Sequence, residues 1–84
     1  METIEFKTVS PLFEMERDGI KPFTTRQWDT SDKRFNTVLD LMDFRKEFKI
    51  TFTNPITKET FTRIANVADW VPYTSHRWVN IYFS

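Results

Sequence analysis

Along the chain the spacing of apolar residues shifts from two, to three or four, and back to two. Thr3 to Val9 alternate, with Ile4 and Phe6 on one side and Glu5 and Lys7 on the other, as in a strand with one buried face. Ser10-Pro11 then opens a predicted helix through Leu12 and Arg17. The serine offers an oxygen to free amides, and the proline stands where its missing N–H costs nothing. Gly19, the only glycine, falls where a left-handed residue closes a helix. Lys21 to Trp28, rich in threonine and aromatic residues, reads as a second strand with Pro22 at its start. Asp29-Thr30-Ser31-Asp32 can cap a second helix over Arg34 to Phe44, in which Phe35, Val38, Leu39 and Met42 recur at i, i+3, i+4 and i+7 as a core-facing stripe.

The second half returns to period two. Lys49 to Thr53 alternates around Ile50 and Phe52, Asn54-Pro55-Ile56-Thr57 forms a turn, and Glu59 to Val67 comes back as the partner strand of a hairpin. A loop holding Asp69, Trp70, Pro72 and Tyr73 leads to a last strand, Arg77 to Phe83. There Val79, Ile81 and Phe83 share one face, and Trp78, Asn80 and Tyr82 the other. Large residues on both faces predict a strand that is central in the sheet or contacts something on each side. The expected order β-α-β-α-β-β-β describes an α+β domain over residues 1–84: a small, curved, mostly antiparallel sheet or a partly open β-barrel, with two helices covering it.

At 84 residues the chain has room for one core. Nine Phe, three Trp and two Tyr offset the poor burial available to so short a chain. Twelve basic and twelve acidic side chains cancel, so any nucleic-acid binding must come from a local patch. The absence of cysteine fits a reducing compartment. The acidic first residues and the lack of a long apolar run predict neither an export signal nor a membrane span, so a cytoplasmic protein is expected. His76 is the only histidine, so neither a metal site nor a cofactor is expected.

One stretch carries candidate chemistry: Gly19-Ile20-Lys21-Pro22-Phe23-Thr24-Thr25-Arg26. Side chains two apart on a strand share a face, so Thr24 and Arg26 point the same way, and Lys21 at the strand start can bend toward them. An ammonium, a hydroxyl and a guanidinium meeting beside a helix end suit an anion or a carbonyl. The same spacing also fits a solvated strand end bearing ordinary surface charges.

The stretch resembles the signature of ASCH domains, a PUA-like superfamily: a strand, a helix ending in glycine, then Gly-x-Lys-x-x-(Glu/Thr)-x-Arg on the next strand, with Phe13 and Glu14 in the preceding helix. The chain departs from that pattern after Arg26, where a helix replaces the family's Gly-Asp turn. The resemblance implies a divergent small member, a kind frequent in bacteriophage genomes, that binds RNA or a nucleotide. Lys21 and Arg26 would hold phosphate, Thr24 a base or sugar, and Phe23 or Trp28 would stack on a base; Arg17, Lys33 and Arg34 would extend a basic rim. Some compact relatives are amidohydrolases acting on acetylcytidine, which would make Thr24 a nucleophile and Lys21 its base. Those enzymes also use a later glutamate, and this chain has none beyond Glu59. Independently, Trp28, Trp70, Tyr73, Trp78 and Tyr82 are too many large rings for one small interior. They point to the alternative of a protein-binding inhibitor or adaptor, acting on a host factor if the source is a phage.

Overall fold

A computed structural model describes residues 1–84. The elements follow the expected order: β1 (Thr3–Lys7), α1 (Leu12–Arg17), β2 (Phe23–Gln27), α2 (Arg34–Phe44), β3 (Phe48–Thr53), β4 (Thr60–Trp70) and β5 (Trp78–Phe83). The strands form one mixed sheet in the order β1-β3-β4-β5-β2. β1 runs parallel to β3, and the other three pairings are antiparallel. No backbone pairing joins β1 to β2, so the sheet is open and does not close into a barrel.

Alternation decides which face is buried. Ile4 and Phe6, Phe48, Ile50 and Phe52, and Val79, Ile81 and Phe83 all point inward, into a single cluster with Phe13 of α1 and Phe35, Val38 and Leu41 of α2. Both helices therefore cover the same face. Phe52 lies at the middle of this core, stacked on Phe61 at 4.8 Å and tilted against Phe83 at 5.2 Å. β5 sits between β4 and β2, the central position that was one of its two expected settings. Its outward residues Trp78 and Tyr82 stay exposed because no element covers that side.

Several local expectations are corrected. The inward face of α2 is Phe35, Thr37, Val38 and Leu41, whereas Leu39 is exposed and Met42 packs at the edge of the core. The helix is rotated from the apolar stripe, and the Thr37 hydroxyl, drawn inward, donates to the Glu2 carboxylate at 2.8 Å. Ser10 does not cap α1. Its hydroxyl donates to the Glu14 carboxylate and accepts from the Asn54 amide at 3.1 Å. Asp32 does supply an acceptor to the first turn of α2, taking the Arg34 N–H at 3.0 Å. β4 outruns its expected end at Val67 to reach Trp70, with a bulge between Ala65 and Val67 that bends the sheet.

Two features fix the junction between α1 and β2. Arg63 of β4 lies over the Phe61 ring and donates to the Arg17 carbonyl at 2.8 Å, satisfying an acceptor at the helix end. Gly19 then adopts φ +80°, and a Cβ built there would meet nothing within 4 Å. The cost of a side chain at this position is therefore backbone strain alone. Gly19→Ala is expected to destabilise the domain by about 1 kcal/mol, measured as a shift in urea midpoint. A larger loss would mean that the turn does more than close the helix.

Candidate functional site

The free edges of β1 and β2 determine where a site can form. Thr8 N–H and Glu2 C=O bond to β3, so by strand alternation the odd-numbered residues of β1 turn their backbone groups to the open edge. On β2, Pro22 C=O and Trp28 N–H bond toward β5, which leaves its odd-numbered residues at the other open edge. Sheet curvature brings these edges within side-chain reach of each other.

Arg26 spans the gap from β2, and Arg34 reaches β1 from the first turn of α2. Arg26 Nη1 donates to the Lys7 carbonyl at 3.0 Å, Nη2 to the Thr8 hydroxyl at 2.5 Å and Nε to the Thr24 hydroxyl at 3.0 Å. Arg34 Nη1 donates to the Glu5 carbonyl at 2.6 Å. Both guanidinium groups lie over the buried Phe6 ring, at 4.6 and 4.5 Å from its centre. Where a closed barrel would have a backbone ladder, this domain has a seam of arginines.

Two hollows open along that seam and share Lys7 and Arg26. The smaller, about 310 Å³, is lined by Lys21, Thr24 and Arg26 together with Thr8, Thr25 and Glu16. The larger, about 710 Å³, is walled by Arg34, Trp28 and Phe35 and edged by Asp29 and Asp32. The three polar residues expected from the sequence therefore do meet.

They meet through partners that spacing did not reveal. Lys21 Nζ bonds the Glu16 carboxylate and the Phe23 carbonyl, each at 2.9 Å, and lies 4.5 Å from the Phe23 ring centre. The Thr24 hydroxyl accepts from Arg26, and no hydrogen bond joins Lys21 to Thr24. Burial holds the Arg26 guanidinium below its ordinary value, Glu16 pulling it back up and Arg34 pushing it further down. A guanidinium remains charged throughout. Of its five N–H groups, three have protein acceptors.

The expected aromatic residues separate. Trp28 joins the larger hollow and packs half-buried on Phe35 at 4.9 Å and Trp70 at 4.8 Å. Phe23 turns to the opposite side of β2, against Tyr82 at 5.5 Å. The basic rim is only partly assembled. Arg34 is forked onto Asp32, the bond to it being the main influence holding that carboxyl below its usual range. Arg17 pairs with Asp18 and Glu59, and neither Arg17 nor Lys33 lines the two hollows. His76 stacks on Trp70 at 4.7 Å, and no group of three His, Cys, Asp or Glu side chains stands close enough to hold a metal ion. No helix is long and apolar enough to cross a membrane.

Glu16 is the residue that sequence reading missed. It stands three positions after Phe13, on the same helical face, and is 1% exposed. An acid in register with a core phenylalanine was the available signal. Comparison with protein-family models, with curated proteins and with solved structures gives no match to this chain.

Proposed function

We propose that the protein binds a nucleotide or a single-stranded nucleic acid in the seam between β1 and β2. The observation that carries this reading is the convergence of Lys21, Thr24 and Arg26 on one hollow, with Lys7 at the junction to its larger neighbour. Within the smaller hollow the charges are Glu16 against Lys7, Lys21 and Arg26, an excess of positive charge in a domain whose net charge is zero. Half-buried cations beside hydroxyl groups are suited to phosphate, and Trp28 in the adjoining hollow offers a ring to a base. We read the chain as a divergent ASCH-type, PUA-like protein on the residues from Gly19 to Arg26, and that kinship favours the same ligand class.

Filter binding of a labelled single-stranded RNA tests the proposal. Retention is expected at low salt and is expected to fall steeply as salt rises. Arg26→Lys keeps the charge but loses the planar fork, and should weaken binding by about tenfold or more. No retention at low salt, or retention unaffected by salt, would remove the reading.

A second reading has its own observation. The uncovered side of the sheet carries Trp78 and Tyr82, both exposed, beside Phe23 and the exposed Val67, and the loop before β5 presents a fully exposed Tyr73. Rings of this kind anchor protein interfaces. In this reading the protein is an adaptor or inhibitor that docks through the outer face, and RNA retention would be absent.

A further inference from the structure

Glu16 is the single ionisable side chain among the buried residues. Its Oε2 is held by Lys21 at 2.9 Å, while its Oε1 has no hydrogen-bond partner. Buried carboxylate oxygens almost always accept at least one hydrogen bond, and Glu16 is among the residues that line the smaller hollow, so its unpartnered oxygen marks a position where a donor belongs. Lys21 shows the opposite deficit. Its ammonium carries three N–H groups; one goes to Glu16 and one to the Phe23 carbonyl, which leaves the third unassigned. The ion pair thus holds an acceptor lacking a donor next to a donor lacking an acceptor.

That arrangement is the complement of the Watson–Crick edge of a nucleobase, where an N–H donor and an acceptor sit on neighbouring atoms in all four bases. Resting on the nucleotide reading above, we propose that the Glu16–Lys21 pair reads the Watson–Crick edge of an unpaired base. The base donates to Glu16 Oε1 and accepts from Lys21 Nζ, while Arg26 and Lys7 take the phosphate where the two hollows join. Oε1 exposes less than 1 Å², so the base reaches it as the Lys21 stem, 17% exposed, moves aside while Nζ stays bonded to Glu16 Oε2 and turns its third N–H to the base. A base already paired in a duplex has this edge occupied. The ligand class is therefore a free nucleotide or single strand, and duplex RNA is excluded.

The test uses the whole protein and isothermal titration with the four nucleoside 5′-monophosphates. Each is compared with a neutral counterpart whose Watson–Crick donor is methylated, on the ring N–H of guanine and uracil and doubly on the amino group of adenine and cytosine, and with ribose 5-phosphate. The expected result is that at least one monophosphate binds, that its methylated form binds tenfold or more weakly, close to ribose 5-phosphate, and that duplex RNA does not compete. Glu16→Gln, its folding checked by circular dichroism, is expected to narrow the gap between that nucleotide and its methylated form. Equal binding of methylated and unmethylated forms, with both lost in Arg26→Lys, would overturn base reading and leave a phosphate site. Binding of none of these ligands would overturn the base reading and the nucleotide function together.

Discussion

Lys21→Met is expected to lower the unfolding free energy by about 3 kcal/mol, read from urea denaturation at neutral pH. The lysine is the only hydrogen-bond donor to a carboxylate that is 1% exposed. Removing one partner of a buried pair leaves the other uncompensated, at a cost of about 3–5 kcal/mol. The lower end applies because Lys21 itself is 17% exposed and water already reaches its side of the pair. The double variant Glu16→Leu/Lys21→Met should recover most of that loss, since an apolar pair of similar volume is often no less stable than a buried ion pair. A loss below about 1 kcal/mol in the single variant, the range of an exposed surface pair, would show that Glu16 is solvated. That outcome would also weaken the case for the base-reading edge.

Phe52→Ala is the second large effect. The ring is 0% exposed and packs between Phe61 and Phe83 at the centre of a core cluster of 13 residues. Truncating a fully buried phenylalanine costs about 3–5 kcal/mol, the spread reflecting how far the neighbours collapse into the space. A domain of this size commonly has a total stability near the lower end of about 5–15 kcal/mol. The variant should therefore be largely unfolded or molten at ambient temperature, with lost near-ultraviolet circular dichroism and broadened amide resonances. Phe44→Ala is the control. That ring, at the end of α2, is 77% exposed, and its removal should change stability by less than about 0.5 kcal/mol. A folded, cooperative Phe52→Ala protein would mean that the core is far more plastic than its packing implies.

Local chemistry accounts for most of what could be read in advance. The element order followed from changes in apolar period, the close of α1 from a lone glycine that now has φ +80°, and the shared face of Thr24 and Arg26 from the alternation of a strand. Each of these depends on residues a few positions apart, where geometry leaves little choice. On α2 the expected stripe and the buried face share Phe35 and Val38 but differ in that Leu41 and Thr37 turn inward in place of Leu39, with Thr37 bonded to Glu2, 35 positions earlier. No period along the helix reports such a bond.

The site divides along the same line. That Lys21, Thr24 and Arg26 could converge was written in their spacing. Their setting was decided by curvature, which folds an open sheet until its two edge strands face each other and gives Arg26 of β2 the Lys7 carbonyl at the end of β1 and the hydroxyl of Thr8 just after it. Glu16 became the partner of Lys21 for the same kind of reason: the register of α1 places it beside Phe13, facing inward, and the turn at Gly19 swings Lys21 back over it. Short-range sterics set the elements, and long-range packing, which depends on every strand at once, chose which of their side chains meet.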